Sequence, residues 1–406
     1  MQLLVIRILA LLAAPILLGA QSAPQWRLVE VWRKGGAVEG AYAFDNINSR
    51  VGDIAVAPGG RVVVLDPNNS RIHILDSMGT VVRSVGRRGS GPGEMERAWT
   101  FAVSRDGRMV VNDYRNGRFV VFGPNGDFLR TISAQRGPVF AYDLTWDASF
   151  DRAGRLLSSV SIRARAPKPV PGAPPGFDAT GPIFDSTLVT ERWSADFTKV
   201  DSVSMCTAVP PIAFNTREHV MVVSGGRGAI IEKNASGAAP VPSGPIVGWV
   251  NVPFAEQKPA FVRDWDGFEW SARAAGSGEI VRRENGKCAF VLASATLRGP
   301  QTPIPAARRD SAAKDERAEV VARIPRQYPW FHALYVDDEN RLWVERDVAT
   351  GKRFDVFAAD GRPLAEIPAP TGLLVQYPLS IGNGRLFGFV KNADDVPYLV
   401  AWRIAR

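Results

Sequence analysis

The chain has few cysteines and histidines, which limits the kinds of site it can build. Its two cysteines, Cys206 and Cys288, exclude a disulfide-dense framework. The 81 residues between them fit no zinc motif, because zinc sites need closely spaced Cys or His pairs. A Cys206–Cys288 disulfide and two buried thiols both stay open. The three histidines, His73, His219 and His332, leave little room for a Ser-His-Asp triad, and no Gly-x-Ser-x-Gly motif occurs.

Long apolar runs are also lacking after the first residues. Residues 1–23 contain one cation, Arg7, an apolar stretch from Ile8 to Leu18, and then small residues, which is the pattern of a secretory signal peptide. The stretch is shorter than the roughly 20 residues that span a bilayer, and no Cys follows it for lipid attachment. We therefore predict a signal peptide at 1–23, cleaved between Ala20 and Ala23, and a periplasmic or secreted protein that is not integral to the membrane. An uncleaved N-terminal anchor is the alternative.

The charge is mildly basic but not concentrated. The formal charge of +8 becomes +7 when Arg7 is removed with the signal peptide. Lys and Arg are scattered, with only short pairs such as Arg87-Arg88 and Arg308-Arg309. This favours a solvated surface whose partner is a protein, a peptide or a glycan, and it argues against nucleic-acid binding by an exported protein. We expect a monomer.

An internal repeat organises the first third of the chain. The segment from Ile54 to Asp66 aligns without a gap with the segment from Phe101 to Asp113, at an offset of 47 residues. Each copy reads as four short strands separated by Gly-containing turns, at which Gly tolerates positive φ. Four antiparallel strands in a repeat of about 40–50 residues indicate a β-propeller blade, and helical spacing is absent. Later copies of the turn lie near 151, 264 and 337.

The repeat residues resemble a known family. The strand Val62 to Asp66, the segment Asn69 to Ile72 and the Gly-rich linker Gly86 to Met95 look like NHL-type repeats. The whole chain is similar to secreted bacterial propeller proteins, usually called six-bladed. The first two blades match best, and residues 160–255 match weakly. The resemblance implies an all-β fold with a single propeller of six blades.

The number and closure of the blades follow from the strand pattern. Seven candidate innermost strands, beginning near 53, 100, 143, 211, 260, 332 and 377, would give seven blades if 206–251 forms one. We predict one propeller domain over 24–406, with a Pro-rich inserted loop at 164–186 and a helical insertion at 305–324. The N-terminal strand near Trp26 should pair with the C-terminal strands around Tyr398 to Ile404, so that the ring closes without a free edge.

The loops that lead into innermost strands surround the channel mouth of a propeller, which is the usual ligand site. Aromatic residues with nearby Arg can stack on sugars, flat ligands or peptide side chains, although each ring could equally pack between blades. The candidate ligand-binding residues are Arg97, Trp99, Tyr142, Trp330, Phe331, His332, Gln376 and Tyr377.

We find no catalytic motif and expect no cofactor. The Asp-rich turn at Asp337 to Asn340 lacks the spacing of a calcium loop. The function that fits best is a non-catalytic binding or scaffolding propeller of the cell envelope. The alternative is a propeller enzyme, either a metal-dependent hydrolase resembling calcium-dependent lactonases or a lyase. Asp53 and Asp143 are the channel-facing carboxylates that such an enzyme would use.

Overall fold

The computed structural model describes residues 26–35, 53–133, 148–165, 184–204, 219–224, 227–232, 261–273, 277–284, 291–314, 316, 321–322, 324–374, 378–394 and 396–406. Strands account for nearly all of the regular structure. One short helix, α1 (Ala306–Ala313), lies directly after Pro305, inside the segment predicted to be helical, and buries none of its side chains.

The strands form six antiparallel sheets. The N-terminal strand is β1 (Arg27–Gly35). Blade 1 contains β2 (Asp53–Ala57), β3 (Arg61–Asp66), β4 (Arg71–Leu75) and β5 (Val81–Val85). Blade 2 contains β6 (Ala98–Val103), β7 (Met109–Asp113), β8 (Arg118–Phe122) and β9 (Phe128–Ser133). Blade 3 contains β10 (Ala148–Phe150), β11 (Leu156–Arg165), β12 (Phe184–Trp193) and β13 (Val200–Ser204), followed by a hairpin, β14 (His219–Ser224) and β15 (Arg227–Glu232).

The second half of the ring repeats this order. Blade 4 contains β16 (Phe261–Arg263), β17 (Phe268–Ala272), β18 (Glu279–Glu284) and β19 (Val291–Thr296). Blade 5 contains β20 (Ala333–Val336), β21 (Leu342–Val348), β22 (Gly351–Phe357) and β23 (Pro363–Pro368). Blade 6 contains β24 (Ser380–Gly382), β25 (Arg385–Lys391) and β26 (Pro397–Ala405), with β1 as its outermost strand.

The propeller therefore has six blades, and the open choice between six and seven is settled. The β14–β15 hairpin lies in the region that would have formed a seventh blade. It instead extends the sheet of blade 3, because β14 pairs with the beginning of β12 at Phe184 and Met221. The later part of β12, from Thr190 to Trp193, pairs with β13 to complete the ordinary four-stranded blade. In the predicted Pro-rich insertion, residues 166–183 lie outside the described part.

The predicted closure of the ring is confirmed. Strand β1 pairs antiparallel with β26 from Arg27–Ala405 to Gly35–Tyr398. One blade is thus built from both ends of the chain, which leaves no unpaired edge between the first and last repeats.

Apolar clusters lie between neighbouring blades. Between blades 1 and 2, Val63 and Leu65 pack with Phe101 and Val111. Strand β7 is buried along its whole length and β3 after its first residue, because neighbouring blades cover both of their faces. Innermost strands of adjacent blades contact each other around the ring, and blades 3 and 4 are joined by a backbone bond from Arg152 N to Trp265 O.

The ring has two different faces. We call one the turn face: there the first and second strands of each blade meet in tight turns, such as residues 104–108 and 337–341. The opposite one is the linker face, where each blade passes to the innermost strand of the next, as in residues 86–97 and 297–332.

Candidate functional site

The turn face is bridged across the centre of the ring. Arg105, in the turn of blade 2, donates from Nη2 to the backbone oxygen of Asp338 in blade 5, at 2.8 Å. In a ring of six, these two blades lie opposite each other. The Arg105 guanidinium also lies over the Trp265 ring of blade 4, 4.8 Å from its centre.

Trp265 is held in place from blade 5. Its backbone N–H donates to Asn340 Oδ1 at 2.8 Å, and its indole N–H donates to the backbone oxygen of Asp337 at 3.1 Å. Asn340 adopts a left-handed conformation (φ 66°) and donates from Nδ2 to Asp266 at 2.7 Å. Asp266 is also paired with Arg152 of blade 3.

These contacts make a plug, which we define as Arg105, Arg152, Trp265, Asp266, Asp338 and Asn340. Burial acts to raise the pKa of Asp266, but the bonds from Arg152 and Arg282 outweigh it and hold that pKa below its usual value. Asp266 therefore stays ionised and keeps blades 3 and 4 tied. In the described part of the chain, the plug therefore links blades 2 and 3 to blades 4 and 5 across the turn face.

On the linker face, blade 5 carries a polar cluster: His332, Tyr335, Glu345, Asp347 and Lys352. Asp347 and Lys352 are directly opposite each other on β21 and β22, and Glu345 lies two residues before Asp347 on the same side of its strand. That side packs against blade 6 through Trp343. The strand thus changes from a buried aromatic to two carboxylates as it approaches the linker face.

The members of the cluster are joined in a chain. The Tyr335 hydroxyl donates to Glu345 Oε2 at 3.0 Å. Lys352 Nζ lies 3.6 Å from Glu345 Oε1 and 3.3 Å from Asp347 Oδ1. The other oxygen of Asp347 is bonded to His332 Nε2.

The nitrogen-bearing side chains of this cluster, His332 and Lys352, are more exposed than its carboxylates, which lie beneath them. The side chains of His332 and Lys352 are each 28% exposed, whereas Asp347 is 10% and Glu345 0% exposed. Burial acts to raise the pKa of Asp347, but the bonds from His332 and Lys352 lower it below its usual value. Burial raises the pKa of Glu345 despite Lys352 and Tyr335, which act in the opposite direction. The surface that a ligand meets is therefore rich in hydrogen-bond donors.

Of the residues predicted to bind a ligand, His332 belongs to this cluster. Its neighbours in the sequence, Trp330 and Phe331, pack against other parts of the protein. The Trp330 ring lies against Gly278, where a Cβ would come within 2.8 Å of it, and below the Arg346 guanidinium, 5.8 Å from the ring centre. Phe331 is buried between blades 4 and 5. Arg97 has an exposed side chain, and its backbone N–H donates to Asp113 at 3.1 Å.

Other predicted residues fall where no side chain is described. Trp99 lies in β6, and its side chain is outside the described part. The remaining residues outside it are Tyr142, Asp143, Cys206, Cys288, Gln376 and Tyr377. Their predicted roles, including the disulfide, stay predictions.

Asp53 begins the innermost strand of blade 1 on the linker face. Its carboxylate accepts from Ile54 N at 2.9 Å and from the hydroxyl of Thr100, its counterpart in blade 2, at 3.3 Å. Burial raises the pKa of Asp53 to about 7. A carboxyl group with that pKa exchanges protons near neutral pH.

No set of metal ligands converges in the described residues, where no group of three His, Cys, Asp or Glu side chains could hold an ion. The side-chain oxygens of Asp337 and Asn340, in the turn at residues 337–340, are bonded within the protein. Asp337 accepts from Arg341 Nε at 2.6 Å and from Trp343 Nε1 at 2.8 Å, and the Asn340 oxygen accepts from Trp265. This arrangement gives the turn a structural role.

Sequence reasoning missed Glu345, Asp347, Lys352 and the plug. The signal for the cluster was the same-face pair Glu345 and Asp347 following Trp343 on one strand. The signal for the plug was Trp265, an aromatic residue at a turn position that is Pro58, Arg105, Arg152 or Asp338 in other blades.

Comparisons with known proteins agree with the fold. Residues 45–147, about a quarter of the chain, match a family described as 6-bladed beta-propeller. Comparison with curated proteins gives no match. In the described part of the chain, no helix combines the length and the hydrophobicity needed to cross a bilayer.

Several solved structures resemble the chain at low identity. A member of the duf4221 family from Bacteroides vulgatus is 11% identical with a TM-score of 0.47, over 94% of this chain and 98% of that one. A Bacteroides fragilis protein named as an exported protein is 13% identical with a TM-score of 0.46, over 94% and 95%. Virginiamycin B lyase from Staphylococcus aureus is 11% identical with a TM-score of 0.40, over 88% and 97%. Identities this low carry no information on activity or ligand.

The predicted resemblance to six-bladed propellers is confirmed by the strand topology and by the family match over the first two blades. The plug bridges the turn face, and residues 45–147 match a family of 6-bladed beta-propellers. The chain is a six-bladed β-propeller.

Proposed function

We propose that the protein is an exported binding or scaffolding propeller that holds its ligand or partner at the linker face. The observation that carries this proposal is the difference between the two faces. The plug ties blade 2 to blades 4 and 5 across the turn face through Arg105. The linker face instead presents the partly exposed side chains of His332 and Lys352.

The donor-rich surface selects a class of ligand. Because the carboxylates Glu345 and Asp347 are more deeply buried, a ligand first meets the imidazole of His332 and the ammonium group of Lys352. Such a surface suits carboxylates and other hydrogen-bond acceptors. The ligand is thus an acidic peptide segment, of a partner protein or free, or an acidic glycan, and the net positive charge of the chain favours its approach.

Export rests on the N-terminal sequence. Residues 1–23 have the pattern of a cleaved signal peptide, so the binding role belongs to the periplasm or the extracellular space. Mass spectrometry of the protein secreted by a bacterial host tests this: a new N-terminus between Ala20 and Ala23 supports export, and an intact N-terminus contradicts cleavage.

A second candidate, a propeller enzyme, is favoured by the bond between His332 and Asp347. A carboxylate that fixes one nitrogen of an imidazole leaves the other to act as a general base. In this reading the site removes a proton from a bound substrate, as in a lyase or a hydrolase.

The test compares charge-matched variants on the two faces. Binding of an alginate chain and of a Glu-rich peptide to the wild-type protein is measured at low and moderate salt, with neutral dextran as the negative probe. Lys352→Gln and Arg105→Gln each remove one positive charge, from the linker face and the turn face respectively. We expect Lys352→Gln to weaken binding about tenfold, or about 1.4 kcal/mol, and Arg105→Gln less than about twofold.

If Lys352→Gln melts at a lower temperature than the wild-type protein, His332→Gln is measured as the second linker-face variant. Equal losses for variants on both faces, or no binding of either acidic probe by the wild-type protein, would contradict the proposal. Mass spectrometry of the bound probe tests the enzyme candidate. A chemical change of the probe that the wild-type protein causes and His332→Gln does not would favour an enzyme over a binding protein.

A further inference from the structure

Blade 1 contains a row of three polar side chains, Asp66, His73 and Ser84, outside the blade-5 cluster. His73 Nδ1 lies 2.8 Å from the Ser84 hydroxyl oxygen, and His73 Nε2 lies 3.7 Å from Asp66 Oδ2. Asp66 and His73 are nearly buried, whereas Ser84 is exposed on the outermost strand. The sequence suggested that three histidines leave little room for such an arrangement; the structure places one of them between an acid and a serine.

Strand register produces this row. His73 on β4 is directly opposite Val64 on β3 and Ser84 on β5. Side chains alternate along a strand, so Asp66, two residues after Val64, lies on the same side of the blade as His73. That side faces blade 6, where Val64 and Leu75 pack with Phe387.

The repeat provides an internal comparison. At the same offset of 47 residues, blade 2 has Val120 in place of His73 and Thr131 in place of Ser84. The acid is kept as Asp113, which forms an ion pair with Arg118 at 3.0 Å. Blade 1 has therefore replaced a buried valine by a titratable base and set a serine beside it, a change that packing of the repeat does not require.

The acid of the row is held ionised. Burial acts to raise the pKa of Asp66, but the bonds from His73 and from Asn69 outweigh it and lower that pKa. Asn69 donates to Asp66 from its backbone N–H at 3.2 Å and from Nδ2 at 2.7 Å, which fixes the carboxylate. An anion at Nε2 favours the tautomer with its proton on Nε2, so that Nδ1 is free to accept the serine proton.

We infer that Ser84 is a nucleophile activated by His73, with Asp66 as its positioning residue, and that this row hydrolyses carboxylic esters. The Ser84 oxygen attacks the carbonyl carbon while its proton passes to His73 Nδ1. The bond from carbon to the alcohol oxygen then breaks, and the alcohol leaves with the proton from His73. Water enters by the same path, with His73 as base, and releases the acid and free Ser84.

The surroundings suit a small ester. Ser84 is exposed, so a substrate reaches it without a deep pocket. Arg71 lies two residues before His73 on the same side of β4 and is exposed, so it is the candidate cation for the developing oxyanion. This activity is independent of binding at the linker-face cluster.

The test uses the full-length exported chain, a fluorophosphonate and p-nitrophenyl acetate. The fluorophosphonate forms a bond from phosphorus to the Ser84 oxygen and loses fluoride, and peptide mapping locates the adduct. We expect labelling at Ser84, and a fall of about tenfold or more in its rate for His73→Val, which introduces the residue of blade 2. Asp66→Asn should slow labelling and Asp66→Glu should restore part of it.

The control lies in the same chain. Thr131→Ser places a serine at the matching position of blade 2, beside Val120 instead of a histidine, and should not be labelled. If His73→Val does not fold, Ser84→Ala is used, and nitrophenol release should fall to the rate of the uncatalysed reaction. Absence of an adduct at Ser84 in the folded wild-type protein, equal labelling in folded His73→Val, or unchanged ester hydrolysis in Ser84→Ala would overturn the inference.

Discussion

Replacing Arg105 and Trp265 by alanine, singly and together, measures the contact that closes the turn face. Arg105→Ala removes the bond to the Asp338 oxygen at 2.8 Å and the stacking on Trp265. Trp265→Ala removes the same stacking, the indole bond to Asp337 and the packing of a half-buried ring. The two changes share one interaction, so their effects on the free energy of unfolding should not add.

The magnitudes follow from the contacts. One hydrogen bond contributes about 1 kcal/mol and an exposed cation–π contact about 0.5–1 kcal/mol, so Arg105→Ala should cost about 1–2 kcal/mol. Truncation of a fully buried tryptophan costs about 3–5 kcal/mol, and for this partly exposed ring we expect about 2–3 kcal/mol. The shared contact predicts that the double variant is about 0.5–1 kcal/mol more stable than the sum of the single effects implies.

Urea unfolding, followed by tryptophan fluorescence and circular dichroism, gives the four free energies. Arg130 is the matched control, because it is also exposed and donates to a backbone oxygen, that of Asp196 at 2.8 Å, without stacking on Trp265. Arg130→Ala with Trp265→Ala should be additive within about 0.5 kcal/mol. Additive effects for Arg105 and Trp265 as well would refute the plug.

Three further predictions concern stability. Gly361→Ala should destabilise the protein by more than about 2 kcal/mol, because a Cβ there would lie 2.0 Å from the Ser294 oxygen. Gly59→Ala, also at positive φ but with open space around it, should cost about 1 kcal/mol, and equal losses in urea unfolding would contradict the packing of blade 5 on blade 4. Arg118→Ala should cost about 3–5 kcal/mol and speed hydrogen exchange in residues 86–95, because it removes the ion-pair partner of the buried Asp113 and frees the oxygens of Ser90 and Glu94. Exposed Arg71→Ala should stay within about 0.5 kcal/mol, and an equally small loss for Arg118→Ala would speak against the bond network. The raised pKa of Asp53 means that the folded state keeps, up to about pH 7, a proton that the unfolded state releases near pH 3.8, so stability falls as pH rises through that window. Wild type should lose about 2–3 kcal/mol relative to Asp53→Asn between pH 5 and 8, and parallel pH profiles would count against this linkage.

The sequence predicted the first two blades nearly residue by residue. The aligned segments Ile54 to Asp66 and Phe101 to Asp113 overlap the first two strands of their blades, β2 with β3 and β6 with β7. This success has a physical basis, since the Gly turns at 79 and 126 have positive φ and the second and third strands of each blade are rich in buried apolar residues. The turn residues and the apolar pattern of the strands therefore suffice to predict such a blade.

The blade count and the linker-face cluster depended on packing across the ring. Whether β14 and β15 add to blade 3 or begin a new blade is decided by a single pairing with β12, which periodicity does not reveal. Glu345 and Asp347 read as solvated positions of a strand until blade 6 covers them. Of the predicted aromatics, Trp330 lies between Gly278 and Arg346, because the innermost strand turns it toward blade 4.

The row in blade 1 can be found only by combining the sequence repeat with the pairing of the strands. The sequence contains His73 and Ser84 eleven positions apart with nothing to join them, and only the pairing of β4 with β5 brings them together. The departure from Val120 and Thr131 was readable from the repeat. Comparing the copies position by position, and not only aligning them, would have singled out both residues.

The most direct test of a one-sided binding propeller is a crystal structure of the chain with the acidic probe that binds it. We predict density for the ligand at the linker face, with an acceptor oxygen within hydrogen-bond distance of His332 or Lys352. The bond between Arg105 and Asp338 should remain intact across the turn face. A ligand seated at the turn face or on the outer rim, with His332 and Lys352 untouched, would contradict it.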